Sequence, residues 1–243
     1  MTTLVLHLAG PLQSWGAGEV NRRWTRRHPT KAGLVGLLAA AQGRPRDADL
    51  TDLTRLRYGV RIDQPGRLLV DYHTVSRHDG SRLPRAIDGR PATRKTHTII
   101  TRRHYLTDAV FLAAIEGDDD QLRTLDACLR APEFPLYLGR RSCPPALPPS
   151  RGLRDSTLTA TLTIEPWQAA PWHQRRHREP TITLPIIVDD PNGEDTLPDL
   201  PLTFDSRTRA YTTRRIHHDT VTIRNLEQPA TPDPHDPFEL LED

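Results

Sequence analysis

Residues 4–16 read LVLHLAGPLQSWG, and the fold turns on how this stretch is read. Leu4 to Ala9 is an apolar run of strand length, with β-branched Val5 favouring extended backbone. Gly10-Pro11 ends it abruptly. A dinucleotide-binding alternation of strand and helix would put Gly-x-Gly-x-x-Gly directly after this first strand. Pro11-Leu12-Gln13-Ser14-Trp15-Gly16 stands there instead, which counts against a Rossmann-type chain and favours an α+β one.

The segments that follow extend the pattern. Thr30 is placed to cap a helix whose apolar residues run from Ala32 to Ala41 and stop at Gly43. Asp49 to Leu56 reads as a short helix, and Tyr58 to Ile62 and Leu68 to Val75 as strands joined through Pro65-Gly66. Residues 76–96 hold almost nothing to bury and carry Asp79-Gly80, Asp88-Gly89, Pro84 and Pro91. They read as a protruding loop or hairpin flanked by strands over Asp71–Val75 and His97–Leu106. Ala109 to Ile115 is a further strand, and Asp118 to Leu129 a helix with an acidic first turn that suits its dipole. The order strand, helix, strand, strand, helix, strand over about 140 residues suits a ferredoxin-like, RRM-like α+β half. Leu158 to Ile164 reads equally as strand or helix. Thr181–Val188 and Tyr211–Arg224 are strand-rich, and 225–243 is an acidic, Pro-rich tail expected to be disordered.

Composition narrows the function classes. The 243 residues carry 33 basic and 31 acidic side chains, and all but two of the basic ones, Lys31 and Lys95, are Arg. The net charge of +2 is a sum of unlike parts: +6 over 1–46, +6 over 72–105 and −8 over 181–243. Clustered Arg is the footprint of a polyanion binder, although solvated surface Arg would give the same count. No apolar run of about 18 residues suggests a membrane span. The N-terminus lacks a basic stretch ahead of its short apolar run, so no signal peptide is expected. Cys128 and Cys143 match neither a metal spacing nor a disulfide framework, which fits a reducing cytoplasm.

Four groups of residues could meet RNA. Gln13 and Ser14 can hydrogen-bond a phosphate or base edge, and Trp15 can stack on a base or fill the core. Arg26, Thr30 and Lys31 lead into a helix N-terminus, where amides favour an anion. Gly139, Arg140 and Arg141 form a turn in which a glycine permits close backbone approach. Arg102, Arg103 and Tyr105 lie on a strand, with Arg103 and Tyr105 on one face and Arg102 and His104 on the other. The eleven His are scattered, so neither a catalytic residue nor a metal or other cofactor is expected.

The blocks LHLAGPLQSWG (6–16), HPTKAGLVGLLAAAQGRPR (28–46), VDYHTV (70–75), THTIITRRHYLTDAVF (96–111) and YLGRRSCPP (137–145), in unbroken order, resemble the CasD subunits of type I-E CRISPR Cascade, in the RAMP superfamily. The resemblance implies a ferredoxin-like palm over 1–150 with a β-hairpin thumb at about 72–105. A C-terminal part over 151–224 would pack on the palm, ahead of the 225–243 tail. It implies a non-catalytic subunit that caps the 5′ handle of the CRISPR RNA. Its partners would be the CasC backbone and the large CasA subunit, and target DNA through the assembled complex. It places RNA contacts at the four groups above, with Arg103, Arg140 and Arg141 on phosphates and Trp15 at least partly structural. The rival it leaves is a metal-independent endoribonuclease acting on CRISPR repeat RNA, as the type I-C relatives are, which would draw on His73, His104 or Tyr105. The 165–180 stretch, with Trp167 and Trp172, has no assignment from sequence.

Overall fold

A computed structural model describes residues 1–17, 22–76 and 98–226. Twelve strands and five helices follow in chain order: β1 Thr2–Ala9, β2 Leu12–Gln13, β3 Trp15–Ala17, β4 Arg22–Arg26, α1 Lys31–Ala41, α2 Thr51–Thr54, β5 Arg57–Gln64, β6 Arg67–Ser76 and β7 Thr98–Thr107. Then come β8 Val110–Gly117, α3 Asp119–Arg130, β9 Ser150–Asp155, α4 Leu158–Ile164, α5 Pro171–Gln174, β10 Thr181–Asp189, β11 Asp195–Thr203 and β12 Ala210–Arg224. The fold is α+β and mostly antiparallel.

The central sheet has seven strands in the order β11-β12-β10-β5-β8-β1-β9, with every neighbouring pair antiparallel. That pairing excludes the Rossmann alternation, which needs parallel strands. Side chains alternate across the sheet. Leu4, Leu6, Leu8, Tyr58, Val60, Phe111, Ala113 and Ile115 point to one face, where α1 and α3 cover them. Val5, Leu112 and Ala114 point to the other, beneath α4, Trp167 and Ala169. Burial on both faces explains the unbroken apolar run in β8. Three C-terminal strands join the sheet edge-on, through β10 on β5, so the polypeptide after residue 150 extends the N-terminal sheet in its own plane.

A second, smaller sheet is centred on β7. One edge of β7 pairs with β6 along ten residues; the other takes β2 near Leu106 and β4, in parallel, at Arg102 and Arg103. The hairpin of β6 and β7 is thus present, while the Gly- and Pro-bearing run expected at its tip, residues 77–97, lies outside the described residues, as do 227–243 of the tail.

Local chemistry sets the helices. Thr30 holds extended backbone and its Oγ1 accepts the Gly33 N–H at 3.1 Å. Asp118 accepts from the N–H groups of Asp120 and Gln121, opening α3, which buries Leu122, Leu125 and Leu129 on one stripe. The ambiguous 158–164 stretch is helical: Thr157 caps it at Ala160, and Leu158, Thr161 and Leu162 turn to the sheet.

Candidate nucleic-acid interface

The loop after β1 is built from the inside out. The Gln13 amide donates to the carbonyls of Leu8 at 3.0 Å and Ala109 at 2.7 Å, and its Oε1 accepts from Trp15 Nε1 at 3.1 Å. Ser14 Oγ donates to the His104 carbonyl at 3.1 Å. Trp15 is fully buried and lies so close over α1 that a Cβ on Gly33 would come within 2.7 Å of its ring. The expectation that the Gln13 and Ser14 side chains meet RNA is therefore corrected, while Trp15 is structural, as expected in part. All three are buried, and their polar atoms join the end of β1 to the smaller sheet.

A similar correction applies to Thr30 and Lys31. The anion at the start of α1 is the protein's own: Asp199, from β11, accepts the Lys31 N–H at 2.9 Å through Oδ2. The Lys31 ammonium turns inward to Asp189 at 2.7 Å and the Leu56 carbonyl at 3.0 Å, over the ring of Tyr58. Arg214 closes the network on Asp199 at 2.7 Å and on Asp189. Burial lowers the Lys31 pKa against the pull of Asp189. Burial also works against the Arg214 cation, but Asp199 and Asp189 overcome it and raise its pKa. The Lys31 N–H and ammonium are thus both satisfied within the protein.

The 137–145 turn does present Arg. Gly139 has φ +86°, and a Cβ there would stand 1.8 Å from the Ser14 carbonyl oxygen. The close approach that requires glycine is to the chain's own loop, which Ser14 N–H seals by donating to the Leu138 carbonyl at 3.0 Å. Docked there, the turn places the Arg140 guanidinium 4.8 Å above the Tyr105 ring and leaves Arg141 exposed. Tyr105 is 4% exposed, so its ring is a shelf for Arg140 and is not open to a base.

These pieces border one cleft of about 1090 Å³. Its floor is the small-residue face of α1: Ala32, Gly33, Gly36, Ala39 and Ala40. Small side chains keep the floor low, and Ser14 and Thr30 border it as buried residues. Arg26, Arg46, Arg140, Arg141 and Arg209 line it, with Asp199 the one carboxylate among the described lining residues. Arg44 also borders it but is held by both carboxylate oxygens of Asp52, at 2.6 and 2.5 Å. Trp24, Phe134 and Tyr211 line the cleft with rings about half exposed. Arg beside exposed aromatic faces is the composition that grips single-stranded nucleic acid, cations on the phosphates and rings under the bases.

At the rim, Trp24 lies over His104 with ring centroids 4.3 Å apart and planes at 20°. Arg102 is exposed on β7, and Arg103 is half-buried with Nε unbonded among the described residues, as is His104 Nδ1. Arg26, Arg140 and Arg141 thus converge on the cleft, Tyr105 supports Arg140 from behind, and Arg102 and Arg103 lie on the adjoining sheet. The residues the endoribonuclease reading draws on do not converge. His73 faces Thr101 across the hairpin while His104 faces Val70, about 10 Å further along at roughly 3.3 Å per residue, and His73 is paired with Asp71.

Several cleft residues escape sequence reasoning. Arg209 and Tyr211 sit in 206–215, which holds four Arg and no acid. Summing charge over the whole acidic C-terminal third conceals that block, and a shorter window reveals it. Trp24 stands out only once β4 brings it beside His104.

Comparison with known proteins agrees with this architecture. The family model described as CRISPR-associated protein (Cas_Cas5) matches residues 3–217. The CRISPR system Cascade subunit CasD of Escherichia coli (strain K12) is 38% identical over 160 residues, covering 58% of this chain and 66% of the relative, just under two thirds of its length. A chain of a solved CRISPR RNA-guided surveillance complex superposes with TM-score 0.76 at 33% identity, covering 98% of both chains. A crystal structure of a Cas protein superposes with TM-score 0.68 at 33% identity, covering 95% of this chain and 99% of the other. With its sheet, its cleft and 215 residues of continuous family match in agreement, the chain belongs to the CRISPR-associated Cas5 family.

Proposed function

We propose that this chain is a non-catalytic subunit of a type I-E Cascade complex that binds and caps the 5′ handle of the CRISPR RNA. The observation that carries the reading is the cleft, where Arg26, Arg46, Arg140, Arg141 and Arg209 surround a floor of Ala and Gly beside exposed Trp24 and Tyr211. In it, Arg140 and Arg141 hold phosphates and the rings of Trp24 and Tyr211 take unstacked bases. Arg102 and Arg103 continue the RNA path onto the smaller sheet.

In this reading β1, α1, β5, β8 and α3 form a ferredoxin-like palm over residues 1–150, supported by the antiparallel order β5-β8-β1 with both helices on one face, and β9, which starts at Ser150, completes its edge. The thumb, at about 72–105, is built on the β6–β7 hairpin, whose strands span Arg67–Ser76 and Thr98–Thr107, and 151–224 is the C-terminal part. Leu68, Val70, Tyr72 and Ile100 are exposed on that hairpin, an apolar surface suited to locking onto the CasC backbone. CasA and, through the assembled complex, target DNA are the further partners. The matched CasD and surveillance-complex chains support this assembly.

The test is binding of a fluorescein-labelled 5′-handle RNA, followed by anisotropy, with the same RNA inspected for cleavage in EDTA. Arg140→Glu with Arg141→Glu is expected to weaken binding tenfold or more and leave the fold intact, and the wild-type chain to leave the RNA uncut. Unchanged binding would make the chain a protein adaptor. A 2′,3′-cyclic phosphate product would make it an endoribonuclease.

A further inference from the structure

The 165–178 segment lies on the face of the central sheet opposite the cleft. Trp167 packs in the α4-side core with Val5 and Leu112, while the cleft floor belongs to α1 on the other side. The segment has little regular structure, only the four residues of α5, yet buried polar groups hold it at many points. Arg61, fully buried, donates to the carbonyls of Leu162, Glu165 and Pro166 at 2.6–2.7 Å. Asp63 accepts from the Gln168 N–H at 2.6 Å, and its carbonyl from Trp167 Nε1 at 2.8 Å. Gln174 spans back to the carbonyls of Trp167 and Ala169, and Asn225 donates to those of Gln174 and His177.

What this framework presents outward is Trp172, 43% exposed, with the Arg176 guanidinium 4.9 Å from its ring centre. His173 stands edge-on to Trp172 and 5.1 Å from His177. Residues 165–180 contain Arg175, Arg176 and Arg178 against Glu165, which Arg154 holds at 2.5 Å, and Glu179. An exposed indole carrying an arginine, on a loop fixed by buried polar groups, has the properties a base-and-phosphate ligand needs. The ring offers a stacking face at little entropic cost, and Arg176 offers a donor fork to the adjoining phosphate. Burial lowers the pKa of His173, with His177 and Arg176 also opposing its cation.

We propose that Trp172 and Arg176 form a second binding site, for single-stranded nucleic acid, separate from the cleft and able to hold a second strand while the cleft is occupied. The Arg176 guanidinium beside the ring argues for a phosphate-bearing ligand, and the exposed ring for an unpaired strand, since a duplex offers no free base face.

The test uses the full-length chain and fluorescein-labelled dT15 and rU15 at low salt, with and without saturating unlabelled 5′-handle RNA. The site predicts that one probe strand still binds per chain when the cleft is saturated. Trp172→Ala is expected to weaken that binding about tenfold, Trp172→Phe to keep most of it, and Arg176→Ala to weaken it and flatten its salt dependence. Arg140→Glu with Arg141→Glu should leave probe binding at this site unchanged, so failure of the cleft reading and failure of this one are told apart. Tighter binding of dT15 than rU15 marks DNA as the ligand, and the reverse marks RNA. Trp172 is exposed, so its variants should melt with the wild type. Full displacement of the probe by handle RNA would overturn the proposal, and so would equal affinity of Trp172→Ala and wild type. Absence of probe binding would also overturn it, leaving the segment as a protein-docking surface.

Discussion

Arg61 and Asp63 form a buried ion pair that ties the 162–168 segment to the central sheet. Both are fully buried, joined through Arg61 Nε and Asp63 Oδ1 at 2.7 Å and Arg61 Nη2 and Asp63 Oδ2 at 2.9 Å. Burial raises the Asp63 pKa in spite of the guanidinium beside it, so the carboxylate depends on Arg61 to remain ionised. Such a pair adds little net stability relative to an apolar one, but removing one partner strands the other charge. Arg61→Ala also leaves three carbonyls without their donor. It is expected to cost about 3–5 kcal/mol in urea unfolding, and Arg61→Met with Asp63→Leu to recover part of that loss. A loss under about 1 kcal/mol for Arg61→Ala would contradict the assigned role.

At the scale of elements, α1 joins the two ends of the chain. It is apolar almost all round, with a Leu and Val face on the sheet and an Ala and Gly face forming the cleft floor. Its own first turn has no acidic residue, and the missing charge comes from Asp199, 168 residues away from Lys31. Asp199→Ala uncaps the helix and deprives Arg214 of a partner. It is expected to lower stability by about 3–5 kcal/mol and to weaken RNA binding by disturbing the cleft floor. Thermal melts and handle-RNA anisotropy check both effects. The helix itself was legible from Thr30 and the Ala32–Ala41 run, as were β1, β5, β6, β8, β10 and β12 from their apolar or β-branched stretches. β11 was not, because Pro198 and Pro201 argue against a strand. It tolerates them because it lies at the sheet edge, where its register breaks twice. β4 was hidden by its polarity. Of the cleft lining, Arg26, Arg140 and Arg141 stand out in the sequence, whereas the polarity of Gln13, Ser14 and Lys31, which would suit a ligand equally well, serves the interior. Sequence marks a residue's chemistry but not the side of the loop on which it is used.

The described residues form a central sheet whose β1 and β8 strands are buried on both faces and a smaller sheet beside it, with a cationic cleft on the α1 side and the Trp172 segment on the α4 side. The stability of the chain should depend on pH through histidines that fold neutral. Burial lowers the pKa of His28 and of His7 below the ordinary value of 6.5, with Arg151 also opposing the His7 cation. The unfolded chain takes up protons near pH 6.5 while the native one resists, so stability is full above that pH and falls as pH drops below it. Melting temperature is therefore expected to decline between pH 7 and pH 5, before carboxylates titrate. His28→Gln with His7→Gln should flatten that decline.

The central claim is that the cleft arginines hold the phosphates of a single-stranded RNA end. Its most direct test is the salt dependence of handle-RNA affinity for wild type and for Arg140→Ala, Arg141→Ala and Arg209→Ala combined. Each phosphate contact on a single strand contributes about −0.7 to the slope of log K against log salt. The account predicts a steep wild-type slope that becomes shallower by about 2 in the triple variant, with weaker binding at every salt concentration. An identical slope and affinity in the two proteins would contradict it.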